Sequence, residues 1–228
     1  MNKQQPVNIS AITVIDQIID ALQRLYPGAT TDLVYENPFQ LLIAVMLSAQ
    51  STDKQVNRVT ARLFARYKTP AEIARLIPEE LASLIQGCGL YRNKSKHIIE
   101  TCRALVEKHG GQVPATRAEL EKLPGVGRKT ANVVLMAAFG QDTLPVDTHV
   151  FRLARRLGLA TGSTPRVVEE ELLAIVPPGQ RTFFHHALIK HGRAVCLARR
   201  PRCAACDLRG CCRYYREKVP NIHGVSVV

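Results

Sequence analysis

Tryptophan is absent from the 228-residue chain, and only six phenylalanines and six tyrosines supply aromatic surface. That is too little for an extended stacking platform of the kind that holds single-stranded nucleic acid. Long apolar runs are missing too. The longest, Leu41–Leu47 and Val133–Phe139, span seven residues each, far below the ~18 that suggest a membrane helix. The opening MNKQQPVNIS has no apolar stretch behind Lys3, so no secretory signal is read there. Strand-like alternation, low-complexity segments and repeats of about 20–50 residues are likewise absent. The expectation is a protein of a reducing cytoplasm with no membrane partner.

Negative charge is the other scarcity: 19 Asp and Glu face 31 Lys and Arg, a formal net charge of +12 with a pI near 9.7. In a compact chain with 46% hydrophobic and 22% charged residues, such an excess points to a polyanionic partner, because each phosphate neutralised releases condensed counterions. With few aromatics, backbone contact to a duplex is favoured over stacking on single strands, and the nucleoid is the expected place of action. The length suits one large domain or two small ones at roughly 150 residues per domain.

Helical signals recur throughout, and the fold class read from them is all-α. Ile15, Ile18, Ile19, Leu22 and Leu25 follow the spacing of one buried helix face, ended by Pro27-Gly28. Asn37-Pro38 sets a capping residue before a proline and opens FQLLIAVML, apolar almost all round and hence expected at the centre of a core. A third helix begins near Ser51-Thr52-Asp53 and is expected to bury Val56, Val59, Leu63 and Phe64. Thr69-Pro70 and Thr164-Pro165 are two further cap-and-start pairs.

Two glycine-marked turns interrupt this pattern, IQGCGLYRNKSKHII (85–99) and LPGVGRKTANVVLMAAFG (123–140). In the second, Gly125 and Gly127 permit a tight connection between helices, and the new helix starts with backbone N–H groups and a positive dipole end that can hold a phosphate whatever the base sequence. Arg128 and Lys129 follow at once. Cations are disfavoured at a helix N-terminus by a few tenths of a kcal/mol, which suggests that function holds them there. Two roles fit Lys129. The dipole and Arg128 both favour its neutral, nucleophilic form, or it touches a phosphate. Asp147, in VDTHVFRLARRLGL (146–159), is a natural N-cap, and equally a carboxylate able to take a proton or to stabilise positive charge developing on a sugar.

Five of the seven cysteines crowd into the seventeen residues from 196 to 212. Cys196, Cys203, Cys206 and Cys212 have the spacing C-x6-C-x2-C-x5-C, enough thiolates to surround one metal centre, whether zinc or an iron–sulfur cluster. Cys211 competes with Cys212 for the last position. Between the first two lies LARRPR, whose Arg199, Arg200 and Arg202 suit phosphate contact, and the basic 152–156 helix is expected to face the same duplex.

Together, LPGVGRKTANVVL, VDTHVFRLARRLGL and the cysteine spacing resemble endonuclease III, the helix-hairpin-helix DNA glycosylases with an iron–sulfur cluster. The resemblance runs from about residue 10 to 218 and takes in NPFQLLIAVMLSAQSTDKQVN and GLYRNKSKHI. It implies a base excision repair enzyme, both N-glycosylase and abasic-site lyase, that removes oxidised pyrimidines from double-stranded DNA. Lys129 would attack C1′ and form a Schiff base, with Asp147 as catalytic carboxylate and β-elimination 3′ to the abasic site. His149 would belong to the site region. Gln50 and Leu90 would fill the gap left by a flipped nucleotide; without the resemblance they are a polar residue at a helix end and an ordinary core leucine. Asp53 would lie near the DNA, or simply cap its helix. The implied cofactor is a [4Fe–4S] cluster on Cys196, Cys203, Cys206 and Cys212. The implied architecture is a six-helix barrel over 31–141 and a discontinuous cluster domain over 1–30 and 142–228, the active site in the cleft between them, in a monomer. The end stretches MNKQQPVN and IHGVSVV have no assigned role. The rival readings are a glycosylase of the same fold acting on mispaired normal bases, and a DNA-binding module without catalysis, stabilised by zinc or not.

Overall fold

The computed structural model describes residues 9–222; MNKQQPVN and all but the first residue of IHGVSVV lie outside the described residues. Among the described residues every regular element is helical: α1 (Ile9–Leu25), α2 (Pro38–Ser48), α3 (Asp53–Phe64), α4 (Pro70–Ala74), α5 (Pro78–Leu84), α6 (Tyr91–His109), α7 (Arg117–Leu120), α8 (Arg128–Phe139), α9 (Thr148–Leu157), α10 (Pro165–Ile175), α11 (Arg181–Ala194) and α12 (Arg213–Ile222), with short 3-10 turns at Cys203–Ala205 and Arg209–Cys211. The fold is all-α. It divides into two compact units, Thr31–Thr143 and the discontinuous Met1–Thr30 with Leu144–Val228.

The Thr31–Thr143 unit is built around α2. Asn37 caps its start, accepting from the Gln40 N–H, and Pro38 occupies the first turn, where a missing N–H costs nothing. Every residue from Phe39 to Leu47 is buried, and α3, α6 and α8 pack against the helix. Each fully buried leucine or isoleucine here contributes about 1.5–3 kcal/mol. Thr52, rather than Asp53, caps α3 through its hydroxyl, because Asp53 already lies inside the first turn. Phe64 is only half-buried, at the last position of α3.

In the other unit α1 contributes Ile15, Ile18, Ile19 and Leu22 to a core shared with Val150 and Leu153 of α9, Leu172 of α10 and Phe184 and Leu188 of α11. Leu25 was expected on the same buried face but is 36% exposed. It is the final residue of α1, and the following Tyr26 turns in to pack on the core and place its hydroxyl 3.0 Å from Nδ1 of His191.

Candidate functional site

Residues 121–127 connect α7 to α8 and are seated on α6. Gly125 has φ +74°, and a Cβ there would lie 2.8 Å from Cβ of His97, so backbone and packing both demand glycine. One turn further along α6, the Thr101 hydroxyl donates to the Pro124 carbonyl at 2.6 Å. Gly127 differs. Its φ of −93° suits any residue, but nothing lies within 4 Å of where a Cβ would project. What the second glycine provides is an open approach to the start of α8, whose N-cap it forms without a side-chain oxygen. That leaves the positive helix end to an external anion. Lys129 is exposed in this first turn and Arg128 half-buried beside it.

A second structure forms where the exit of α2 meets the entry to α6. Gln50 (φ 54°) and Leu90 (φ 57°) are both left-handed non-glycine residues, a conformation costing about 1–3 kcal/mol each. Both side chains are exposed, Leu90 by 55%, so the reading of Leu90 as a core leucine is overturned. Gly89 brings the two together, since a Cβ on it would stand 2.6 Å from the Gln50 carbonyl oxygen. Asp53 lies half-buried a few residues on, at the start of α3.

Asp147 caps α9, accepting the Val150 N–H at 2.7 Å through Oδ1, worth about 1 kcal/mol. It is half-buried, and the cap uses one of its two oxygens. His149 sits with Nδ1 3.1 Å from the Arg152 guanidinium. A guanidinium only donates, so the contact suits an accepting Nδ1 of the neutral ring; burial first, and the cations Arg152 and Arg193, lower its pKa against the pull of Asp147 and of a hydrogen bond to the Gly192 backbone.

Arg152 and Arg156 of α9 are the residues sequence reasoning misread, having assigned the 152–156 stretch to a duplex. Both turn inward. Arg152 donates to the carbonyls of Gly192 and Cys196. Arg156 donates to those of Leu197 (2.8 Å) and Ala198 (3.0 Å), approaches Cys196 Sγ at 3.3 Å and lies over the Tyr214 ring. Their i,i+4 spacing beside the buried Leu153 and Leu157 was the available signal. These guanidiniums hold the loop from which Arg199, Arg200 and Arg202 project, all exposed.

Cys196, Cys203, Cys206 and Cys212 line one pocket, along with Arg156, His191 and Tyr214. Cys211 is not among its walls; its thiol donates instead to the Leu208 carbonyl at 3.3 Å. Burial, then the neighbouring thiols, pushes the pKa of Cys203 up, and burial carries Cys206 to about 11. Two side chains reach the sulfurs: Arg156 donates to Cys196, and His191 Nε2 lies 3.4 Å from Cys206. A pocket walled by four thiols, with a guanidinium and an imidazole at the sulfurs, fits a thiolate-bound metal group. Among the described residues no three His, Cys, Asp or Glu side chains gather closely enough for a single ion.

The HhH-GPD superfamily of base excision DNA repair proteins matches residues 43–178. Endonuclease III of Escherichia coli (strain K12) is 50% identical over 203 residues, covering 89% of this chain and 96% of that protein. That of Bacillus subtilis (strain 168) is 47% identical over 200, covering 87% and 91%. The chain belongs to the endonuclease III family. It is thus a base excision repair enzyme, a DNA glycosylase and abasic-site lyase. Among solved structures, a trapped endonuclease III–DNA covalent intermediate superposes with a TM-score of 0.87 at 44% identity, covering 91% of this chain and 98% of that one. A thermostable thymine-DNA glycosylase, 24% identical with a TM-score of 0.81 over 90% of this chain and 97% of its own, shares the fold. Among the described residues no helix is long and apolar enough to cross a membrane.

Proposed function

We propose that this enzyme removes oxidised pyrimidines from double-stranded DNA and then cuts the strand, with Lys129 as nucleophile. The observation that carries the reading is Lys129 itself, an exposed amine in the first turn of α8, where stability alone would not put a cation. Its neutral amine attacks C1′ of the damaged nucleotide, and the base departs with the bonding electrons and a proton. The ring opens to a Schiff base, whose iminium makes the C2′ proton acidic; its loss to water drives β-elimination, which breaks the C3′–O bond and releases the downstream strand with its 5′ phosphate. Asp147 supplies the carboxylate that balances the positive charge and accepts the proton shed by the amine; His149, neutral, lines the approach. Flipping the nucleotide costs a few kcal/mol. Gln50 and Leu90 fill the space it leaves, near Asp53, while Gly125, Gly127, Arg128, Arg199, Arg200 and Arg202 hold phosphates.

Cys196, Cys203, Cys206 and Cys212 would hold a [4Fe–4S] cluster, with Cys211 outside it. When bound, such a group supplies a rigid tie among four thiolates. The chain's own part is to fix the arginine loop, through Arg156 on the Leu197 and Ala198 carbonyls. The enzyme acts as a monomer on nucleoid DNA in the cytoplasm.

Borohydride reduction with a duplex containing thymine glycol or an abasic site should yield a covalent protein–DNA adduct, lost in Lys129→Ala. An undiminished adduct in that variant, or none with the wild type, sinks the proposal. Iron and acid-labile sulfide analysis of the purified protein tests the cluster, and zinc in their place refutes it.

A further inference from the structure

Lys94, on α6, is 8% exposed, an unusual fate for a lysine in a protein so rich in surface cations. Its ammonium donates to the carbonyls of Leu47 (2.7 Å) and Ala49 (2.5 Å) and reaches Ser51 Oγ at 3.4 Å. The two carbonyls lie at the C-terminal end of α2, where backbone oxygens lack helical partners and the dipole is negative. Three donors therefore meet three acceptors. Burial disfavours the charged form and lowers the pKa of Lys94 against the pull of Cys88, and the three oxygens satisfy the ammonium's donors inside the protein.

The hydroxyl of Ser51 is shared, for it also accepts the Gly89 N–H at 3.0 Å. One ammonium and one hydroxyl thus tie the segment holding Gln50 to the segment holding Leu90. Further along α6, His97 and Thr101 seat the 121–127 turn. We propose that Lys94 is a positioning residue, which locks Gln50 and Leu90 into a single wedge held in register with the phosphate-binding turn on the same helix. This rests on the reading of Gln50 and Leu90 as gap-filling side chains.

The test uses the full chain and a duplex with 2-aminopurine opposite a stable abasic analogue, whose fluorescence rises when the wedge unstacks the strand. Lys94→Met should cut the rise at saturating protein about fivefold, the effect of losing roughly one well-made hydrogen bond's worth of order. Leu90→Ala should cut it comparably, and the double variant no further, because both act through one wedge. A full rise in folded Lys94→Met, or losses that multiply in the double variant, overturns the inference. If Leu90→Ala and Gln50→Ala both keep the full rise, the gap-filling reading fails and the role of Lys94 falls with it. Should Lys94→Met not fold, as judged by circular dichroism, Ser51→Ala takes its place: a rise about halved supports the tie, and an unchanged one overturns it.

Discussion

The two glycine-marked turns and the cysteine-rich loop are held in place by different physics. The turns rest on α6, in a unit whose central helix is buried from Phe39 to Leu47; their odd conformations, at Gly125, Gln50 and Leu90, are exposed at the edge of that core and held by the hydrogen bonds of Lys94, Ser51 and Thr101. The loop at 196–212 has little apolar burial of its own, Leu208 being its one fully buried side chain. Guanidiniums on its carbonyls and four thiols around a pocket take the place of a core. Strained backbone can be carried by a large core, whereas a polar loop needs cross-links.

Loss of the cross-links should produce the largest effect. Structural thiolate–metal sites supply on the order of 10 kcal/mol of folding free energy, so Cys203→Ser should lose the proposed metal group and amide-exchange protection throughout 196–212, while α2, α6 and α8 keep theirs. Equal loss in both regions, seen by hydrogen-exchange mass spectrometry, would break the comparison. Next comes the core. Leu42→Ala should cost about 2–5 kcal/mol in denaturant unfolding and leave iron content unchanged; depleted iron would show that the regions are not independent.

A finer contrast separates arginines that hold the loop from those proposed to meet DNA. Arg199→Ala should reduce the slope of log affinity against log salt by about 0.9. Arg156→Met should leave that slope alone and speed exchange at 197–202 roughly tenfold, as expected for about 1.4 kcal/mol of lost hydrogen bonding. Binding titrations at several salt concentrations distinguish the two.

The smallest effect concerns Glu171. Burial raises its pKa, but hydrogen bonds from Gly162 and Thr161, with the charge of Arg155, outweigh it, and the net shift is downward. A carboxylate lowered on folding adds stability above its unfolded value of about 4.3, and that stability is lost as pH falls through the lower folded value. Thermal midpoints of wild type and Glu171→Gln should differ by a degree or two near neutrality and converge in acid; a gap that widens on acidification contradicts the assignment.

Much of the fold was legible because its signals are local. Asn37-Pro38, Thr69-Pro70 and Thr164-Pro165 start helices where capping chemistry says they should, and the apolar run after Pro38 is central. Gly125 was readable as a forced turn. Leu90 was not: an apolar residue after glycine looks like core, and only the approach of Gly89 to the Gln50 backbone turns it outward. Arg152 and Arg156 looked like DNA contacts because a basic helix face carries no mark of the carbonyls awaiting it. Leu25 kept the right period but ran past the end of its partners.

What the sequence determined by itself was therefore the helical class, the +12 charge that favours a polyanion, and the order of hairpin, lysine, aspartate and cysteines, since each follows from composition or from near-neighbour chemistry. The tertiary structure alone decided which cations face solvent and which are consumed inside. A buried ammonium or guanidinium is set by acceptors from distant segments, as Lys94 is by α2 and Arg156 by the 196–198 backbone, and no pattern within one helix encodes where those acceptors will be.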